Sequence, residues 1–208
     1  MVEAIRVHKV GGPDVLQVEQ VEVGDPGPGE VRIKHHAIGL NYLDVYFREG
    51  AYATPLPFTP GNEAAGEIVA VGKGVKHFKE GDRVAYGTSP PGAYCAERIM
   101  DPKVLVDLPK KISYDTGAAM MLKGLTAQYL LRRTFKVKEG HTILVHAAAG
   151  GVGLIMCQWA RHLGAKVIGT VGSKEKAAIA KKAGADHVIL YREENFVERV
   201  AEITKGEK

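Results

Sequence analysis

Cysteine is scarce in this chain: Cys95 and Cys157 are the only two among 208 residues, and no CxxC pair exists. That excludes a disulfide-stapled scaffold and fits a reducing compartment. Long apolar runs are missing as well; none approaches the roughly 18 residues that a membrane helix needs. The N-terminal "MVEAIRVHKVGG" has the pattern of an amphipathic strand and lacks the apolar stretch of a signal peptide. Charge of one sign does not dominate either. The 28 basic and 24 acidic residues leave a net +4, too mild and too evenly spread to argue for nucleic acid or membrane. The expectation is a soluble, cytoplasmic protein.

What the chain has in excess is glycine, 25 residues, a composition of tight turns and close backbone approaches. Up to about residue 110 these glycines punctuate short apolar or alternating runs: "AIRV", "VLQVEQVEV", "EVRIKHHAIG", "GEIVAVG", "DRVAYG", "AYCAERIM" and "VLVDL", divided by "GGPD", "GDPGPGE", "KGVKHFKEGD" and "SPPGA". Such spacing predicts a compact all-strand barrel or sandwich. One segment differs: "NYLDVYFREGAY", 41–52, reads as an irregular or short helical connection crowded with polar-tipped aromatics. From about residue 113 the pattern turns helical, with Ser113 or Asp115 as caps. Then come a strand at 142–147, a helix at 151–163, a strand at 166–171, a helix at 174–183, a strand at 187–191 and a last helix at 194–204. Strands alternating with helices predict a parallel sheet of βαβ units, so the overall class is α/β.

"TILVHAAAGGVGLIMCQWARHLG" is a strand, a glycine-rich turn and a helix. Against G-x-G-x-x-G it offers Ala148, Ala149, Gly150, Gly151, Val152 and Gly153, with alanine replacing the first glycine. Gly150 lets backbone approach a pyrophosphate, Gly153 lets the helix pack on the sheet, and the phosphates sit at the helix N-terminus. An NAD-binding domain carries an acid about twenty residues further on to hold the ribose 2′-hydroxyl. None stands there. The turn offers Gly172, Ser173, Lys174 and Lys176 instead, and Tyr191 with Arg192 closes the third strand. In a 3-2-1 sheet that pair lies beside the turn. Small residues and cations accept a 2′-phosphate that a carboxylate would repel, so the expected cofactor is NADPH.

Taken together, "GGPDVL", "AIGLNYLDVYFREGAY", "PGNEAAGEIVAVGKGVKHFKEGDRVAY", "LKGLTAQYLL" and "VHAAAGGVG" resemble the medium-chain dehydrogenase/reductases. More narrowly, they resemble the NADPH-dependent quinone oxidoreductases of the zeta-crystallin-like group. The resemblance runs the length of the chain. It implies a GroES-like catalytic and substrate domain over 1–122 and the first half of a Rossmann NADP-binding domain over 123–208. It also implies that Asn41, Asp44, Tyr46 and Tyr52 surround the nicotinamide and substrate. The implied cofactor contacts are Asn41, Tyr42, Tyr46, Thr126, Ala148, Ala149, Gly150, Gly151, Val152, Gly172, Ser173, Lys176 and Tyr191. Asp44 reads equally well as a local cap, and Lys123 as a surface charge. Zinc-dependent relatives carry a histidine where this chain has Asn62, inside a Gly-His-Glu, together with cysteine ligands that are missing here, so no metal is expected. His35 and His36, adjacent on a strand, point to opposite faces. Gly66, Gly72 and Gly81 read as turn and bulge residues.

The implied reaction is transfer of hydride from NADPH to a quinone, an acceptor electron-poor enough to need no metal. Enones or enoyl thioesters are the alternative acceptors. The competing class is a non-enzymatic NADPH-binding sensor, scaffold or RNA-binding crystallin-type protein, although no RNA motif or aromatic–basic interleaving is present. A doubly wound domain has about six strands, and the pattern here supplies three. The chain therefore reads as part of a longer, homodimeric enzyme. On its own it is expected to bind adenosine weakly and turn over little or nothing. The apolar side of strand 142–147 is expected to lie open.

Overall fold

A computed structural model describes residues 1–87 and 90–206. The chain divides into two compact units, Met1–Leu122 and Lys123–Lys208.

The first unit is built from β1 (Val2–Val7), β2 (Leu16–Val21), β3 (Val31–Gly39), the short helix α1 (Tyr42–Arg48), β4 (Glu63–Val71), β5 (Arg83–Gly87), β6 (Glu97–Met100) and β7 (Val106–Asp107). Helix α2 (Tyr114–Tyr129) starts in it, with the Ser113 hydroxyl oxygen accepting the Thr116 N–H at 3.1 Å as a cap. Strands β3 to β7 form one antiparallel sheet in the order β6-β3-β4-β5-β7, and β1 pairs with β2 in a separate ribbon. Of the expected barrel or sandwich, no closed barrel is formed among the described residues. Among the described residues, isolated bridges Ala4↔Cys95 and Val7↔Phe58 join β1 to the neighbouring chain. The turn read at "SPPGA" begins at Ser89, outside the described residues.

Period-two alternation splits the sheet into two faces. Val31, Ile33, Ala64, Ile68, Val84 and Tyr86 are buried on one, and Ala65 and Ala85 meet Leu108 and Ala118 on the other. A bulge between His35 and Ala37 in β3 makes His36 the extra residue. The two adjacent histidines do diverge: His35 Nε2 is 3.0 Å from the Tyr86 hydroxyl, whereas His36 stacks on Tyr114 at 4.4 Å. Gly66 pairs with His35 at this bulge, where a Cβ would lie 2.0 Å from the Lys34 carbonyl oxygen. Burial holds His35 mostly uncharged, pulled down to about 4, and pushes Tyr86 up to about 12.

In the second unit β8 (Thr142–Val145), β9 (Lys166–Val171) and β10 (His187–Leu190) form a parallel sheet in the order β10-β9-β8. Helices α3 (Gly151–His162), α4 (Lys174–Lys182) and α5 (Phe196–Thr204) alternate with the strands. Val145, Ala148, Cys157, Ala160, Val167, Val171 and Ala180 are the centre of its core. Strand β8 stops two residues short of the expectation, because Ala147 turns into the left-handed region at φ 50°. Its outer side is open as expected: Leu144 is 38% exposed, and a cavity of about 640 Å³ lies along Thr142–Leu144, Ile168, Val200 and Ile203.

Candidate nucleotide and substrate site

The glycine-rich turn owes its shape to what its residues lack. The N–H of Ala148 donates to the Thr170 carbonyl oxygen at 3.1 Å, which ties the turn to β9. Ala148 itself is fully buried. Its methyl group sits where a Cβ on Gly169 would be only 2.7 Å away. Glycine in β9 thus accommodates the alanine that replaces the usual first glycine of the loop. At Gly153 a Cβ would lie 2.3 Å from the Ala147 carbonyl oxygen and 2.8 Å from Ala148 Cα. Only glycine lets α3 approach its preceding strand this closely. Gly150 is the N-cap, extended at φ −82° and ψ 171°, and no side chain caps the helix. The first amides of α3 thus receive no cap from the N-cap side chain, and the N-terminus of a helix is a place where an anion can be held.

At the end of β9 the turn bears no acid. Gly172 packs against the third strand's end: a Cβ there would lie 2.9 Å from the Tyr191 hydroxyl and 3.4 Å from Arg192 Nε. The 3-2-1 order thus brings both Tyr191 and Arg192 to the turn. Ser173 is the N-cap of α4, its hydroxyl oxygen accepting the Lys176 N–H at 3.3 Å. A hydrogen bond from Ser173 also holds the exposed Glu175 carboxyl below the usual carboxylate range. Lys176 is exposed on the first turn of α4. Thr126 is half-buried on α2, and three residues before it Lys123 reaches the phosphate turn.

In the first unit the candidate residues lie on α1 and on the chain flanking it. Tyr42, Tyr46 and Tyr52 are 70%, 41% and 50% exposed. They form an edge-to-face ladder, with ring centroids 5.1 Å apart for Tyr42–Tyr46 and 5.6 Å for Tyr46–Tyr52. Exposed aromatics with hydroxyl tips are suited to stack on a flat ring and hydrogen-bond its oxygens.

Beneath this ladder lies a buried polar network. The Asp44 carboxylate accepts the Asn41 backbone N–H at 2.9 Å, the Asn62 amide at 2.9 Å and the Tyr94 hydroxyl at 3.0 Å. It caps α1 and is 5% exposed. Burial, and then the charge of Asp44, raises the Tyr94 hydroxyl above its ordinary value and keeps it a donor. Glu63 is fully buried in β4; one carboxylate oxygen accepts from the Asn41 amide at 3.0 Å and the other from the Leu122 N–H at 2.6 Å. Asn41 and Asp44 are therefore brought together, but with their side chains turned to the interior. Tyr42, Tyr46 and Tyr52 face solvent. Glu63 and Tyr94 escaped the sequence reading, although an acid within "GNEAAGEIVAVG" is a signal of a buried, bonded charge.

A catalytic zinc does not fit this donor set. Asn62, at the position of the histidine ligand, commits its amide to Asp44. Cys95 donates its thiol to the Gly92 carbonyl oxygen at 3.1 Å, and burial pushes that thiol up to about 11. Among the described residues no three His, Cys, Asp or Glu side chains are grouped to hold a metal ion. Nor is any helix among them long and apolar enough to cross a membrane.

Residues 27–139 match the family described as the alcohol dehydrogenase GroES-like domain, and 151–208 match the zinc-binding dehydrogenase family. The chain is 51% identical to a quinone oxidoreductase of Pseudomonas aeruginosa, over all of this chain and 64% of that protein. It is 50% identical to a 2-haloacrylate reductase of a Burkholderia species, over 99% of this chain and 64% of the relative. The crystal structure of Escherichia coli quinone oxidoreductase complexed with NADPH superposes with a TM-score of 0.96 at 52% identity, covering 99% of this chain and 64% of that one. The chain thus spans a little under two thirds of the relatives it matches. With the first match spanning more than half its residues, this chain belongs to the alcohol dehydrogenase GroES-like family, the medium-chain dehydrogenase/reductases, and within that family it is similar to the quinone oxidoreductases.

Proposed function

We propose that the chain serves NADPH-dependent, zinc-independent reduction of quinones, the second unit holding the phosphates and the first presenting the aromatic ladder. The observation that carries this reading is the end of β9. The ribose-holding acid is absent there, and Tyr191 and Arg192 stand beside Gly172. The similarity to an enzyme solved with NADPH supports it. When bound, NADPH supplies the hydride, and this chain's residues do the rest. The amides opening α3 hold the pyrophosphate. Lys176, Ser173, Tyr191 and Arg192 hold the 2′-phosphate, and Ser173 gives up its bond to Glu175 to do so.

On the first unit, Tyr46 and Tyr52 orient a flat acceptor and hydrogen-bond its oxygens, with Tyr42 extending the surface. Asn41 and Asp44 act beneath them: Asp44 fixes the start of α1, and Asn41 ties that helix to Glu63 in β4. Both are positioning residues in this reading. Thr126, Ala149 and Val152 complete the nucleotide contacts, and Ala148 contributes backbone alone. Cytoplasmic residence and homodimer formation by the whole enzyme belong to the same reading, with no membrane or nucleic-acid partner.

A second reading keeps the enzyme class and changes the acceptor to an activated alkene, favoured by the 50% identity to a 2-haloacrylate reductase. NADPH oxidation with benzoquinones and 2-haloacrylates in parallel separates the two. The rates expected are low, and their ranking is the readout. Faster oxidation with quinones supports the first reading, and faster oxidation with 2-haloacrylates the second. Salt-dependent RNA binding without NADPH oxidation would contradict both.

A further inference from the structure

Glu63 opens β4 with a fully buried side chain, and the residues paired with it in both neighbouring strands are glycines, Gly39 in β3 and Gly87 in β5. A Cβ on Gly39 would lie 2.3 Å from Glu63 Oε1 and 2.5 Å from the Ala118 carbonyl oxygen of α2. One on Gly87 would lie 2.5 Å from the Leu122 backbone nitrogen. The sheet is thus bare on either side of one carboxylate, and α2 comes down onto it. One Glu63 oxygen accepts from the Asn41 amide at 3.0 Å and the other from the Leu122 N–H at 2.6 Å. Both of these partners are donors. A carboxylate suits them on both oxygens, whereas an amide of the same shape does not. Asn41 is also the N-cap of α1, joined to Asp44 in a capping box. The bond from its amide therefore fixes the start of the helix that bears Tyr42 and Tyr46.

We propose that Glu63 is a positioning residue of the acceptor site: its carboxylate joins the N-cap of α1 to α2 and so sets where the tyrosine ladder stands. Gly39 and Gly87 belong to the same device, since they admit the carboxylate and let α2 reach it. The inference rests on the reading of the ladder as the acceptor surface, and the test keeps the two apart.

Binding of duroquinone, whose ring has no free position for thiol or amine addition, is measured on the full 208-residue chain by calorimetry, with amide exchange followed in the same variants. Glu63→Gln must turn its oxygen to Leu122, whose backbone N–H cannot invert, and its NH2 to Asn41. Two donors then meet, or Asn41 turns its amide over and disturbs the capping box. Asn41→Asp sets two carboxylates against each other. Each single variant is expected to weaken duroquinone about tenfold, the size of a lost hydrogen bond to a charged group, and to raise exchange across α1. The double variant Glu63→Gln/Asn41→Asp faces a donor with an acceptor again, the direction of the bond reversed, and aspartate is as good an N-cap as asparagine. It is expected to recover affinity to within about threefold of the parent. A residue needed only for folding would give losses that add and exchange that rises through β3–β5 as well. Losses that add in the double variant, or unchanged affinity in Glu63→Gln, overturn the role of Glu63 and leave the acceptor reading standing. Failure of the parent chain to bind duroquinone overturns the acceptor reading and this role with it.

Discussion

In the unit from Lys123 onward, the functional geometry is made by what is missing: side chains absent at Gly150, Gly151, Gly153 and Gly172, and an acid absent at the end of β9. In Met1–Leu122 it is made by what is buried. Asp44, Asn62, Tyr94, Asn41 and Glu63 bond one another beneath a helix that carries two exposed tyrosines, Tyr42 and Tyr46, with Tyr52 following it. A backbone cradle depends on close approach, so one added methyl group damages it. The aromatic face depends on the polar layer under it, so it fails when a buried carboxylate is lost and tolerates changes at its surface.

The largest effect follows from the polar layer. Asp44→Ala strands three donors, and at 1–3 kcal/mol per unpaired buried group it is expected to cost about 4 kcal/mol. Amide exchange should rise across α1 and the first unit's sheet, with β8–β10 unchanged; equal loosening of both units would contradict the comparison.

Acidification should discriminate between the units in the same direction. His35 titrates near 4 in the folded chain against an ordinary 6.5. Between those values the unfolded chain takes a proton that the folded one refuses, so stability falls as pH drops through this window and is unaffected above it. A shift of that size is worth roughly 3 kcal/mol. Exchange protection in β3–β5, followed from pH 7 to 4 (about the span of the two values), checks it.

Gly153→Ala reverses the pattern. Its Cβ meets the Ala147 carbonyl oxygen at 2.3 Å, an overpacking worth about 2 kcal/mol. Nucleotide binding should be lost with the first unit intact, as calorimetry and segment-resolved exchange together will show.

The smallest effect is at the surface. Tyr52→Phe should change stability by less than about 0.5 kcal/mol and leave NADPH affinity unchanged, while lowering quinone turnover. Unchanged turnover would remove Tyr52 from the site.

This contrast also explains what was legible in the sequence. Gly150, Gly153 and the missing acid sit at fixed spacings within one βαβ unit, so local sequence reveals them, and the strand order then carries Tyr191 to Gly172. Asp44 meets Asn62 and Tyr94 across 18 and 50 residues, and no periodicity encodes such a meeting. That is why Asp44 read equally well as a cap or a catalytic group, and why Tyr94 and Glu63 were missed. Barrel and sandwich could not be told apart in the sequence because short alternating strands look alike in either arrangement.

The central claim is that the turn after β9 reads a 2′-phosphate. Calorimetric titration of the chain with NADPH and NADH at moderate salt tests it most directly. NADPH should bind at least tenfold more tightly, the effect of one charge-assisted phosphate contact, and Lys176→Gln should reduce that ratio towards one. Equal affinity for the two nucleotides in the parent chain would contradict the account.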